Sequence, residues 1–171
     1  VFDAPDPRGS LDGGSEVAPA TDTRNYPQMP PLTEEELASF LEAMPIARLA
    51  THNRDGTIHV VPVWFKYVDG DILLGTQEIT QKVKNVERDP NVTVLIDSQE
   101  APFKGAMIYG TATLDTENLV AERTDIFARF MPAEEAQRLA GALAAAFEPA
   151  VIRVVPHKIA SWDYSKPGFL G

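Results

Sequence analysis

The chain has 171 residues, 44% of them hydrophobic, enough for one domain with a sizeable core. Its formal net charge is −10 and it has no cysteine. The acidity argues against nucleic acid as a main partner, and the lack of cysteine excludes disulfides, thiolate nucleophiles and thiolate metal sites. No apolar run approaches the roughly 20 residues of a membrane-spanning helix. No signal-peptide pattern follows Val1, so the cytoplasm is the expected location.

Residues 1–31 carry six prolines, several glycines and no apolar period. Such a stretch buries too little to fold alone. It is read as an extended arm, expected to lie against the main domain, residues 32–171, or against a partner subunit. The domain opens with a helix. Thr33 and Glu36 have the spacing of a capping box, and Leu37, Phe40, Leu41 and Met44 recur at helical spacing until Pro45. A strand over 46–51 follows, then a polar Asp55-Gly56 hairpin loop.

The stretch 58–67 is a long strand with apolar residues on both faces. Val60, Pro62 and Trp64 alternate with Val61, Val63, Phe65 and Tyr67. A sheet exposed on one side needs only one apolar face, so the second is expected to meet a ligand or another subunit. Pro62 cannot donate to a ladder and marks an edge or bulge. An Asp69-Gly70 turn leads into the next strand, and Thr80 is expected to cap a short helix carrying Lys82 and Lys84. A lysine in a first helical turn opposes the helix dipole. A bound anion would reverse that penalty, since free N–H groups, the Thr80 hydroxyl and the Lys82 ammonium could converge on one phosphate. Two solvated surface lysines are the plainer alternative.

Further strands are expected over 92–96 and 106–114, the second with a bulge at Gly110. Helices are expected over 117–130 and 132–147, and strands over 151–155 and 157–162. In the first of these helices Leu119, Arg123, Ile126, Phe127 and Phe130 fall on roughly one side. Six or seven meandering strands with peripheral helices imply a mainly β (α+β) barrel.

Three segments carry a resemblance: R-L-A-T-H-N-R-D-G-T-I-H-V-V-P-V-W-F at 48–65, T-Q-E-I-T-Q-K-V-K-N-V-E-R-D-P at 76–90 and Y-G-T-A-T-L at 109–114. Together they resemble the pyridoxamine-phosphate-oxidase-like split-barrel family, and within it the flavin/deazaflavin oxidoreductases that often use coenzyme F-420. The resemblance implies an FMN-binding-like split β-barrel, a homodimer and cofactor sites at the subunit interface. It implies phosphate contacts from Thr76, Thr80, Gln81 and Lys82, with Gln77 on the same loop. It places Val61, Pro62, Val63 and Trp64 beside the tricyclic ring. Where the oxidases of that name carry an Arg and a Lys on this strand, the present chain has Val60 and Phe65, which argues against pyridoxamine phosphate oxidation itself.

No nucleophile–base set is visible, and His52, His59 and His157 lack metal spacing. Redox chemistry needs neither, because the cofactor carries the hydride. Tyr67, Tyr109 or water could donate a proton. The leading expectation is an oxidoreductase that uses reduced F-420 on a small-molecule acceptor. Arg54, Lys66, Lys84 and Lys104 are available for its oligoglutamate tail. The alternatives are an FMN enzyme of the same fold and a non-catalytic flavin, deazaflavin or haem binder.

Overall fold

A computed structural model describes residues 29–167 of the protein. Helix α1 spans Glu34–Ala43, and strands β1, β2 and β3 span Ile46–His52, Ile58–Val68 and Asp71–Gln77. Helix α2 (Gln81–Arg88) precedes β4 (Asn91–Asp97) and β5 (Lys104–Leu114). Helices α3 (Leu119–Ala128) and α4 (Ala133–Ala146) then lead to β6 (Pro149–Asp163). The strands close an antiparallel barrel in the order β1-β2-β3-β6-β5-β4. No helix among the described residues is long and apolar enough to cross a membrane.

Local chemistry explains the elements. The Thr33 hydroxyl accepts from the Glu36 N–H and the Glu36 carboxylate accepts from the Thr33 N–H, at 3.2 and 2.7 Å, completing the capping box. Asp69 and Gly70 both have positive φ, 52° and 94°, the hairpin turn that Asp-Gly favours. The barrel interior is filled by alternate residues of every strand, among them Leu49, Phe65, Leu74, Val94, Ile108 and Ile152. A second core forms outside it, where Leu73 and Val151 meet Ile126, Phe127, Ala136 and Ala140 of α3 and α4.

Three expectations change. The two C-terminal strands are one, Pro149–Asp163. Its pairing with β5 shifts register at Tyr109/Gly110, where Tyr109 faces Lys158 and Gly110 faces Pro156. His157 is therefore the extra residue, so the bulge foreseen at Gly110 belongs to the strand opposite. Gly110 is required because a Cβ there would lie 2.7 Å from the Val155 carbonyl oxygen. Second, the outer apolar face of β2 is divided. Trp64 packs edge-on against Phe127 at 5.3 Å and beside Phe130 at 5.6 Å, so helix α3 takes its C-terminal half. Ile58 and Val60 remain exposed. Third, Thr80 occupies the N-cap position of α2 without capping it.

Of the N-terminal arm, residues 1–28 lie outside the described residues. The short piece that follows is fastened to the end of β6. The Asp163 N–H donates to Pro30 O at 2.9 Å and the Leu32 N–H to Ser161 Oγ at 3.0 Å.

Candidate cofactor site

The site begins with an interrupted ladder. β2 and β3 pair only over Phe65–Val68 and Leu74–Asp71. Continuing that register, Trp64 stands opposite Gly75, Val63 opposite Thr76 and Pro62 opposite Gln77, but these rungs are not bonded. Each side is held from behind instead. Val61–Trp64 pair with Leu49–Ile46 of β1, and Gly75–Gln77 pair with Val151–Pro149 of β6. The facing edges thus carry backbone groups with no strand partner. Pro62 suits such an edge because it has no N–H to leave unpaired.

Six of the residues singled out in the sequence flank this opening. Val63 is buried and turns into the barrel core, Val61 packs against the same core, and Trp64 lies on the outer face against α3. Pro62 is exposed. On the other edge Thr76 is buried and Gln77 half-buried. The remaining three, Thr80, Gln81 and Lys82, start α2 directly after β3.

The α2 N-terminus is uncapped. The Thr80 hydroxyl donates to Gln77 O at 2.8 Å and lies 3.3 Å from the Thr76 hydroxyl, so it points back into the loop. An α-helix leaves its first N–H groups without intrahelical partners, and no described side chain takes those of Gln81, Lys82 and Val83. Lys82 is half-buried with no hydrogen bond or ion pair among the described residues, and burial lowers its pKa below the usual ammonium value. Lys84 is exposed and shares a surface trough with Arg54, Gln81, Glu87 and Arg88.

Asn85 holds this helix in place, a role that sequence reasoning missed. It is fully buried, and its amide donates to Thr51 Oγ1 at 3.0 Å and Asn53 Oδ1 at 2.9 Å. Its oxygen accepts from Gln81 Nε2 at 2.9 Å and Arg88 Nη2 at 3.0 Å. The network ties α2 to the end of β1 and thereby sets where Lys82 stands. The signal was a polar residue between Val83 and Val86 on the buried side of the helix. Gln81 spends its amide here rather than standing free.

Two of the four cations considered for an acidic tail are already engaged. Lys66 pairs with Glu122 at 2.8 Å and Asp125 at 3.2 Å, and Lys104 with Asp163 at 2.9 Å. Arg54 and Lys84 are not ion-paired among the described residues and lie beside the α2 start. Neither tyrosine lines the open rungs. Tyr67 packs on the core in the paired half of β2, and the Tyr109 hydroxyl donates to Met107 Sδ at 3.0 Å on β5. A hollow of about 400 Å³ is bordered by His52, Ile58, Tyr109 and His157 and by none of the nine residues singled out for the cofactor. His52 there is paired with Asp89 at 3.0 Å.

A closed six-stranded antiparallel barrel with peripheral helices is the architecture of a split β-barrel. The chain belongs to the pyridoxamine 5'-phosphate oxidase family, whose profile matches residues 33–163. A conserved hypothetical protein from Mycobacterium tuberculosis superposes with a TM-score of 0.68 at 26% identity, over 78% of this chain and 86% of that one. An F420 reductase gives 0.57 at 20% identity, over 71% and 94%. The heme storage protein HutZ from Vibrio cholerae gives 0.60 at 18% identity, over 74% and 92%. At such identity the last two share the fold alone. No curated protein matches the sequence.

Proposed function

We propose that the protein is an oxidoreductase that holds reduced coenzyme F-420 along the opening between β2 and β3 and acts on a small-molecule acceptor. The observation that carries this reading is Lys82, a half-buried cation without a counter-ion beside an uncapped helix start. A lysine placed against the dipole with no partner is disfavoured in the free protein. One phosphate would satisfy the ammonium and the first-turn N–H groups together. The residues present therefore fit a phosphorylated cofactor.

The chain's own groups have distinct tasks. Lys82 and the α2 backbone bind the phosphate, and the Thr76–Thr80 pair shapes the loop that presents them. Val61, Pro62, Val63 and Trp64 offer an irregular strand edge along which a planar ring can lie. Packing beneath them, on the core and on α3, holds that edge still. When bound, F-420 supplies the hydride. The acceptor's proton comes from water, since Tyr67 and Tyr109 stand away from the opening.

The trough with Arg54 and Lys84 favours F-420 over FMN, because only the deazaflavin carries an oligoglutamate tail for those cations to meet. An F420 reductase and HutZ share the fold, so deazaflavin and haem are both reasonable probes. The reading also includes a homodimer. Ile46, Ile58, Val60 and Ile159 are exposed apolar residues on strands β1, β2 and β6, and a second copy would cover them.

The test is titration of the purified protein with F-420, FMN and haem, followed by absorbance and fluorescence. Saturable F-420 binding that weakens with salt, with FMN weaker, is the expected result. Preferential FMN or haem binding would replace this reading with the corresponding alternative.

A further inference from the structure

Arg123 is a further cation with no hydrogen bond or ion pair among the described residues. It lies on α3 in the apolar row that the sequence spacing shows. It is 1% exposed, and its Nε and Nη1 atoms are buried with no hydrogen-bond acceptor. No ion pair satisfies it among the described residues. The acidic neighbours on its own helix are committed elsewhere, since Glu122 and Asp125 both turn to Lys66. The described residues thus surround a guanidinium, which stays charged at any ordinary pH, without providing a counter-ion.

Its position is specific. A Cβ built on Gly75 would meet the Arg123 Cγ at 3.4 Å, so the stem crosses β3 at that glycine. The guanidinium carbon is 5.7 Å from the centre of the Phe127 ring, and Phe127 meets Trp64 edge-on at 5.3 Å. Trp64 and Gly75 are the two residues that face each other at the first unbonded rung between β2 and β3. Arg123, Phe127, Trp64 and Gly75 therefore surround one end of the opening on its outer side. Lys82 stands beyond the far end of β3, one helix turn past Gln77. Among the described residues, a cation without an ion pair stands at each end of the opening.

A buried charge without a partner costs several kcal/mol of desolvation. Such a cost is retained at functional sites more than elsewhere. A flat guanidinium also matches the two oxygens of a carboxylate or phosphate.

We propose that Arg123 is a second anion-binding residue of this site, which takes a carboxylate or phosphate of the ligand lying between Trp64 and Gly75. The proposal rests on the β2–β3 opening being the ligand site, but not on which cofactor occupies it. Two sources share the required chemistry, an acidic group of the cofactor and a carboxylate of the acceptor.

The experiment compares wild type, Arg123→Met, Arg123→Lys and Lys82→Ala. Met fills similar space without charge, and Lys keeps the charge but loses the fork. Each is titrated with F-420, with the deazaflavin ring lacking its phosphate-bearing tail, and with succinate as a carboxylate probe, and apo melting temperatures are recorded. Arg123→Met is expected to melt at or above wild type while losing roughly 10- to 150-fold in affinity for at least one anionic probe. Arg123→Lys should lie between the two. A loss for F-420 but not for the tail-less ring assigns a cofactor anion to Arg123. A loss confined to succinate assigns the acceptor carboxylate. If Lys82→Ala leaves F-420 binding intact while Arg123→Met weakens succinate, the cofactor reading fails and this one stands. Unchanged affinity for every probe in Arg123→Met, or a lower melting temperature with intact binding, would overturn the proposal and make Arg123 a packing residue.

Discussion

Two sets of charges on the barrel are treated differently. Near the end of β6, Asp163 is 2% exposed and fully partnered, accepting from the Ser165 N–H at 2.8 Å and hydroxyl at 2.6 Å and pairing with Lys104 at 2.9 Å. Arg153, on the same strand, is shared between Asp71 and Asp115 at 3.2 and 2.9 Å. Beside the β2–β3 opening, Lys82 and Arg123 have no ion pair or hydrogen bond among the described residues. The first set reads as structure, because each charge in it has an opposite charge beside it. The second carries the proposed binding site, where charges are held at a cost that the described neighbours do not offset.

That contrast breaks most visibly at Asp163. Asp163→Ala leaves Lys104 and the Ser165 groups without their acceptor and should cost roughly 2–4 kcal/mol of folding stability, read by chemical denaturation. Cofactor affinity should not change. The same carboxylate predicts an acid limb. Burial alone would raise its pKa, but Ser165 and Lys104 outweigh that and bring it down to about 2. Its contribution is therefore complete above the unfolded value near 4 and is lost as pH falls through about 2. Stability against pH for Asp163→Asn should be flatter over that window than for wild type.

Asn85 sharpens the contrast, since it belongs to both kinds of region. Asn85→Ala removes a buried acceptor and donor, for about 1–3 kcal/mol. It should also weaken cofactor binding, because α2 loses its tie to Thr51 and Asn53. Stability lost with affinity intact would separate the helix from the site.

The smallest effect compares two threonines at helix starts. Thr33→Ala breaks a complete capping box and should cost about 1 kcal/mol. Thr80→Ala should cost less, because its hydroxyl serves Gln77 O and not the helix. A larger loss in apo Thr80→Ala would show that this hydroxyl does cap α2 in solution.

These particulars show what the sequence could convey. Hydrophobic alternation and turn chemistry are local signals, and they gave the barrel, the capping box and the Asp69-Gly70 hairpin. The helix start at Thr80–Lys82 was legible because cap position and lysines lie close together in the chain, whereas Thr76 and Gln77 were singled out by the family resemblance alone. The merged strand β6 was not, because Pro156 reads locally as a break while the bulge at His157 is set by pairing with β5. The opening between β2 and β3 was hidden for the same reason, since it depends on where two strands part. Arg123 was visible as a charge in an apolar row, but its lack of a partner depends on where Glu122, Asp125 and Lys66 turn.

In the proposed reading Lys82 is held for a ligand and not for the fold. The most direct measurement is affinity of Lys82→Ala for F-420 and FMN with apo melting temperature taken on the same samples. Roughly a 10- to 150-fold loss of cofactor affinity is expected, with a melting temperature unchanged or slightly higher. Unchanged affinity for both cofactors would contradict it and return Lys82 to an ordinary surface lysine.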